Sequence, residues 1–467
     1  MKSKWMVPVK ESFLSHQDAL FPLCFVFSSL LNMVFFYLGL AYEENPLREY
    51  GFIAGCLLFA VLCGLSFLRA LRKERLPWHK WGLLGAVMLF FVLCYGAAFW
   101  KHGLNGGLLR YAEQFIVFCT PAFFVGVCGA LRRSEGSFFT TLESFSPLAF
   151  PGALIYFNGS LFNCLPWNYG ADLGILNYMS LAYTFMPFLL AHIICFVERA
   201  EWTLPFTGKK VRRPQLLRGV FIAVYWVAII ASATRGAYLC VAGFCALLVL
   251  FKLIRKDAAW KSACVLSVLM AVVLLFNMFI YAPPGLYRVQ RMNLFLDALK
   301  EHQLVTSNED PSVSDSIDEL VEMDGDRQAI NRPGESEDPN SMENLRISNR
   351  GTLFKLAFKE FQKSPLLGMG PMGYTVKYGE YPHNIILEML CELGAAGTLV
   401  LLLLICIAIV KVLVAGWRNT EILYVFLFFI AYAIRANISG SLWDCSALLC
   451  ALGYGITISL PKKQPKQ

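Results

Sequence analysis

Residues 348–397 read SNRGTLFKLAFKEFQKSPLLGMGPMGYTVKYGEYPHNIILEMLCELGAAG, and the fold turns on what this stretch does. Ser348 or Asn349 supplies a helix N-cap. The segment to about Lys363 sets Leu353, Leu356, Ala357 and Phe361 on one face and Lys355, Lys359 and Lys363 on another, the pattern of an amphipathic helix resting on a membrane surface. Ser364-Pro365 ends it, and Gly368, Gly370 and Gly373 permit a sharp loop. After Pro382-His383-Asn384 the chain turns apolar and stays so to Val414, long enough to span a bilayer. The stretch thus delivers a lone histidine to the mouth of a membrane helix. Asn384 and Glu388, one turn apart, are placed to orient one another or the imidazole.

Working outward, the rest of the chain reads as the platform for this loop. Of 467 residues, 57% are hydrophobic and 16% charged, against about 25% charged in a soluble domain. About twelve apolar runs reach spanning length, centred on 18–42, 51–70, 82–99, 113–131, 145–162, 173–197, 219–234, 236–254, 262–281, 393–414, 421–438 and 442–460. The fifth is interrupted by Pro147, Pro151 and Gly152. The first follows Lys2, Lys4 and Lys10 without a cleavage site, as an uncleaved span. The expected fold is an all-α polytopic membrane protein with one large external loop between spans nine and ten. Residues 1–281 hold spans one to nine, 282–382 the loop, and 383–467 spans ten to twelve.

Lys and Arg set the orientation. With both termini inside, the cytoplasmic loops collect Arg69, Arg72, Lys73, Arg132, Arg133, Lys209, Lys210, Arg212, Arg213, Arg218, Arg255 and Lys256, while the short outer loops hold few. The net charge of +8 is therefore an insertion signal, and nucleic-acid binding is excluded. Most of the 15 cysteines lie inside apolar runs and act as small hydrophobes. No spacing suggests a disulfide framework or a metal site.

The external loop has three parts. Pro283–His302 is a short amphipathic segment carrying Arg288 and Arg291, and Gln303–Glu343 is acidic, apolar-poor and flexible. Arg346 and Arg350 then precede the helix described first. Arg235, in Thr234-Arg235-Gly236, stands where span seven meets span eight, and Arg435 and Asp444 near the end of span eleven are expected to pair. Arginines at this depth suit phosphate, because the guanidinium donates two parallel hydrogen bonds. They would stabilise charge growing on a departing diphosphate without a metal. Histidine takes a proton from an attacking hydroxyl at neutral pH. No nucleotide pool exists outside a cell, so an activated sugar donor there must travel in the membrane. Together these features point to glycosyl transfer from a polyprenyl-diphosphate carrier, with no cofactor.

Arg350 and its amphipathic helix, Ser364-Pro365-Leu366-Leu367-Gly368-Met369-Gly370, His383-Asn384-x-x-Leu387-Glu388, and Glu392-Leu393-Gly394-x-x-Gly397 together resemble the O-antigen ligase and polymerase superfamily of bacterial membrane glycosyltransferases. Thr234-Arg235-Gly236 fits the same family, and the resemblance covers roughly residues 218–415. It implies a GT-C-like fold, with His383 as the base that activates the acceptor hydroxyl and Arg235 and Arg350 on the donor diphosphate. Inversion at the sugar carbon follows, in surface-polysaccharide assembly at the outer face of the bacterial cytoplasmic membrane. Arg288, Arg291, Arg346 and Asn384 are further substrate-binding candidates. The implied partners are a polyprenyl-diphosphate-linked glycan, the lipid bilayer, and a polysaccharide, lipid A core or lipid-linked acceptor. Two departures stand out: Phe354 where the family often has Trp, and the acidic insertion 303–343. Ligase, polymerase and protein O-glycosylation ligase share these motifs. A transporter or flippase is the reading of another class, but it calls for mid-membrane carboxylates and two related halves, which the sequence does not display.

Overall fold

A computed structural model describes residues 17–40, 46–74, 76–104, 106–161, 178–202, 210–232, 234–279, 351 and 353–459. Arg288, Arg291, Arg346, Arg350, the segment 283–302 and the acidic segment 303–343 lie outside them. The described residues form helices and no strands. In chain order these are α1 (Leu20–Leu23), α2 (Phe27–Tyr37), α3 (Pro46–Lys73), α4 (Trp78–His102), α5 (Gly106–Gln114), α6 (Thr120–Arg132), α7 (Glu135–Leu161), α8 (Tyr178–Val197), α9 (Pro214–Ala231), α10 (Arg235–Ile254) and α11 (Trp260–Phe279). From residue 353 onward come α12 (residues 353–363), α13 (Gly373–Tyr378), α14 (Ile385–Gly416), α15 (Thr420–Ser439) and α16 (Ser446–Thr457). A single π turn, Phe115–Cys119, joins α5 and α6 into one rod.

Each apolar run of the sequence carries a helix. Among the described residues, eight helical segments are long and apolar enough to cross a membrane: Arg48–Lys73, Trp78–His102, Gly106–Arg132, Ser180–Val197, Pro214–Ala231, Arg235–Ile254, Ile385–Gly416 and Thr420–Ser439. The apolar helices Phe27–Tyr37, Trp260–Phe276 and Ser446–Thr457 are shorter. In α7 the two prolines lie inside the helix. A proline removes one rung of the ladder, which in lipid must be made good from within the protein. The carbonyl of Glu143, four residues before Pro147, accepts from Ser146 Oγ (2.7 Å). Nearby, the Tyr37 hydroxyl of α2 donates to the Leu148 carbonyl (3.0 Å) and accepts from Gly152 N–H (2.8 Å).

Two cores hold the bundle. One packs α1, α2, α15 and α7 to α10 around α8, which is hydrophobic on all sides and has 89% of its most apolar window buried, as a central helix must. The other packs α4, α5, α6, α14 and α16. Lipid tails are as apolar as leucine, so helix association depends on close contact at small residues. A Cβ on Gly126 of α6 would lie 2.2 Å from the Cys450 carbonyl oxygen of α16, and one on Gly453 of α16 would lie 2.4 Å from that of Phe123. These two helices therefore touch backbone to backbone.

Arg218, which the sequence groups with the cytoplasmic basic residues, is fully buried. Its guanidinium donates to both oxygens of Glu143 (2.5 and 2.7 Å) and to the Ala200 carbonyl (2.6 Å). His192, against the same carboxylate (3.2 Å), shares a hydrogen bond with Ser146 Oγ (2.8 Å). The counter-ion sits on α7, a partner that loop charge alone does not reveal.

Candidate functional site

Of the candidate residues, Arg235, His383 and Asn384 lie among those described, and the segments that carry them reach the last turn of α15. From α10, Gly236 presses on it: a Cβ there would be 3.2 Å from Ile438 Cγ2. From the loop before α14, Asn384 Nδ2 donates to the Asn437 carbonyl (3.0 Å) and the Tyr381 hydroxyl donates to that of Ser439 (3.4 Å). Arg235, exposed as the first residue of α10, and His383 thus flank one helix end although they lie far apart in the chain. Ser232 and Thr234 build the tight turn before Arg235, Ser232 Oγ–H donating to Thr234 Oγ1 (3.0 Å).

His383 is held in an unusual way. Its backbone is left-handed, φ +55°, a region costly for a residue with a Cβ and typical of functional positions. Its ring lies 4.3 Å from that of Tyr381, centroid to centroid, and Nε2 is 2.8 Å from Glu380 Oε1. Nδ1 has no hydrogen-bond partner. With Nε2–H donating to Glu380, the imidazole lone pair rests on Nδ1, the arrangement a general base needs. Glu380 is thus the orienting carboxylate, in place of the two side chains the sequence suggested. Asn384 instead caps α14, its Oδ1 accepting from Ile386 and Leu387 N–H (both 3.0 Å).

Glu388 faces the turn before α16, where Ser441 Oγ–H (2.7 Å) and Leu442 N–H (2.5 Å) donate to it. Glu392, one turn further on, accepts from Met372 N–H (2.7 Å), Tyr374 N–H (3.0 Å) and Trp443 Nε1–H (2.7 Å). Both carboxylates are fully buried. They act as staples, fixing the loop ahead of His383 to α14 and α14 to the α15–α16 turn.

α14 breaks at Gly394 (φ +62°, ψ −171°), a conformation open only to glycine. The freed backbone groups pair with the Ser364–Gly370 loop. Met369 N–H donates to the Cys391 carbonyl (2.8 Å) and Gly370 N–H to that of Glu392 (2.9 Å). In return, Ala395 N–H donates to Pro365 (2.8 Å) and Ala396 N–H to Leu366 (3.0 Å). The approach is so close that a Cβ on Gly368 would lie 2.4 Å from the Glu392 carbonyl oxygen. The glycines read as loop permission in the sequence are here the means of seating the loop in a broken helix.

α12 forms as its periodicity expects, but its apolar face is taken by protein. Leu353 and Ala357 pack with Tyr374 and Cys391, flanked by Leu356 and Phe361, so that stripe is not left for lipid. Tyr374 hydroxyl donates to the Leu353 carbonyl (2.8 Å). Glu360 gathers Lys363, Lys377 and the Tyr378 hydroxyl (2.9, 2.9 and 2.8 Å). Burial works to raise the Glu360 carboxyl, but these three donors outweigh it and hold it down at about 2. Arg435 and Asp444, expected to pair, form no ion pair among the described residues. The Arg435 guanidinium instead lies 4.2 Å from the Tyr183 ring centroid and 5.9 Å from that of Tyr432.

Compared with known families, residues 220–402 match the model described as O-antigen ligase. That stretch takes in Arg235, residues 282–382, His383, Asn384 and the Gly394 break. No curated protein matches the chain.

Proposed function

We propose, from the match of residues 220–402 to the O-antigen ligase family model, that this membrane protein transfers a glycan from a polyprenyl diphosphate to an acceptor hydroxyl at the outer face of the bacterial cytoplasmic membrane. The observation that carries the reading is His383: a strained, carboxylate-oriented imidazole with an unpartnered nitrogen, fixed to the helix end that also abuts the Arg235 turn. In the reaction the acceptor oxygen attacks the anomeric carbon from the face opposite the diphosphate, and its proton passes to His383 Nδ1. The bond from that carbon to the diphosphate oxygen breaks with inversion. Arg235 and Arg350 take up the charge on the leaving diphosphate, a role that cations in a partly desolvated site perform without a metal. Glu380 holds the imidazole as it becomes cationic. Arg288, Arg291 and Arg346 bind the donor from the external segment, and Asn384 serves by fixing the start of α14.

In this reading all twelve apolar runs cross or enter the membrane, with residues 282–382 outside. The chain belongs to surface-polysaccharide assembly, as a polymerase or ligase in preference to a protein glycosylation enzyme. The test is transfer by purified protein in liposomes, given a polyprenyl-diphosphate oligosaccharide, with chelator present, with and without lipid A core. Wild type is expected to make product. Arg235→Ala and His383→Asn lose about 10²-fold or more, the span of a single general base or oxyanion-stabilising group. A ladder of lengths without core marks a polymerase, and a single core-dependent product a ligase. Undiminished turnover in His383→Asn would remove the base from the mechanism.

A further inference from the structure

Arg435 lies outside the matched stretch, and the sequence reading gives it to an ion pair that does not form. Its surroundings are those of a ligand site. The guanidinium rests over the face of Tyr183 at 4.2 Å. A cation–π contact of this kind uses the flat face of the guanidinium and leaves its in-plane N–H groups able to donate. No carboxylate lies within ion-pair distance of it among the described residues, and Asp444 feels its charge only from further off. Tyr183 connects it to Arg235, because the phenol oxygen sits 2.3 Å from where a Cβ on Gly236 would stand. Only glycine, following the arginine in Thr234-Arg235-Gly236, lets that tyrosine approach the start of α10.

A second set of observations points the same way. The Tyr432 hydroxyl, one helical turn before Arg435 and on a side chain 6% exposed, has no hydrogen-bond partner. Asn437 Oδ1, two residues after it, is buried without a partner too, although the same side chain donates from Nδ2 to the Ala433 carbonyl (2.9 Å). His383 Nδ1 is the third such atom around this helix end. Buried polar atoms are rarely left unpaired unless something else meets them. A cation with free N–H groups, beside unpaired oxygens on the same helix end, matches an anionic ligand that also carries hydroxyl groups.

We propose that Arg435, mounted on Tyr183, is part of the seat for the diphosphate of the lipid-linked donor, gripping it together with Arg235. This rests on the function proposed above and adds α15, a helix outside the matched domain, to the donor site. Arg435 would neutralise the diphosphate in the bound donor and again as it leaves.

The experiment measures binding by the full chain in nanodiscs to polyprenyl diphosphate, polyprenyl monophosphate, neutral polyprenol and phosphatidylglycerol. Wild type is compared with Arg435→Gln, Arg435→Lys, Tyr183→Phe and Tyr183→Leu. The quantity read is the preference for diphosphate over neutral polyprenol, a ratio that does not depend on how much of each variant is folded. Arg435→Gln should lower that preference by about ten- to hundredfold, the worth of hydrogen bonds to a charged group. Arg435→Lys should restore part of it. Tyr183→Phe keeps the ring and the preference, and Tyr183→Leu loses both. An unchanged ratio in Arg435→Gln, while wild type prefers the diphosphate, overturns the role of Arg435 alone. Equal losses for phosphatidylglycerol and diphosphate also overturn it, since Arg435 would then be a general headgroup contact. A wild type indifferent to the diphosphate overturns the proposed function itself.

Discussion

At the scale of single residues, substitution of His383 is the test that can separate stability from function. A left-handed backbone costs a residue with a Cβ about 1–2 kcal/mol, and asparagine is among the few that adopt it readily. His383→Asn should therefore unfold within about 0.5 kcal/mol of wild type, measured by thermal melting in detergent, while transfer falls about 10²- to 10⁴-fold. A histidine kept for packing would show the opposite pattern, a lower melting point with turnover preserved. His383 stands out in the sequence as a lone histidine between a Gly-rich loop and an apolar run. Glu380 does not, since nothing in Gly379-Glu380-Tyr381-Pro382 says which way the chain turns back, and the φ of +55° that sends Nε2 toward it is set by the caps and staples on either side. Arg435 was misread for a related reason. Its partner Tyr183 sits on α8, and sequence proximity favoured Asp444.

At the scale of elements, the broken helix and the docked helix each make a prediction. Gly394→Ala meets two obstacles: a φ of +62° with ψ −171°, and a Cβ 2.5 Å from the backbone of Leu366 and Gly368. It should destabilise by about 3 kcal/mol or more, with the 365–370 loop released first and visible as new protease sites there. The pH dependence of α12 follows from Glu360. Its carboxyl is held at about 2 in the folded protein against an ordinary value of 4.5, so the folded state binds the proton less readily than the unfolded one. The stabilisation is therefore complete above about 4.5 and fades as pH falls toward 2. Unfolding followed between pH 6 and pH 3 should show this loss, and Glu360→Gln should flatten it while lowering stability at pH 6. The α12 periodicity was readable, but the partner of its apolar face was not. A stripe of Leu353, Leu356, Ala357 and Phe361 fits a bilayer or a protein equally well, and only the placement of Tyr374 and Cys391 decides.

At the scale of the molecule, the apolar runs were enough to recover an all-helical bundle with membrane-length helices, because that signal acts over a single helix. Which helices touch was hidden, since contact in lipid depends on small residues from distant segments. Gly126 and Gly453 are two of 35 glycines, with nothing around either to mark it. Gly126→Leu should push α6 from α16 and lower the melting temperature of the whole bundle, whereas the same change at Gly82, which faces open space, should be nearly silent. α16 has a further consequence. Cys450, Tyr454 and Ile458 complete the first core and Leu449, Leu452 and Ile456 the second, while Lys80 of α4 donates to the Thr457 and Ile458 carbonyls at its end. During synthesis α16 leaves the ribosome after every helix it packs against. Earlier helices must therefore wait in the bilayer with Gly126, Phe123 and Lys80 unclaimed, and a chain stopped before Ser446 would stay in that waiting state, a marked target for membrane proteases.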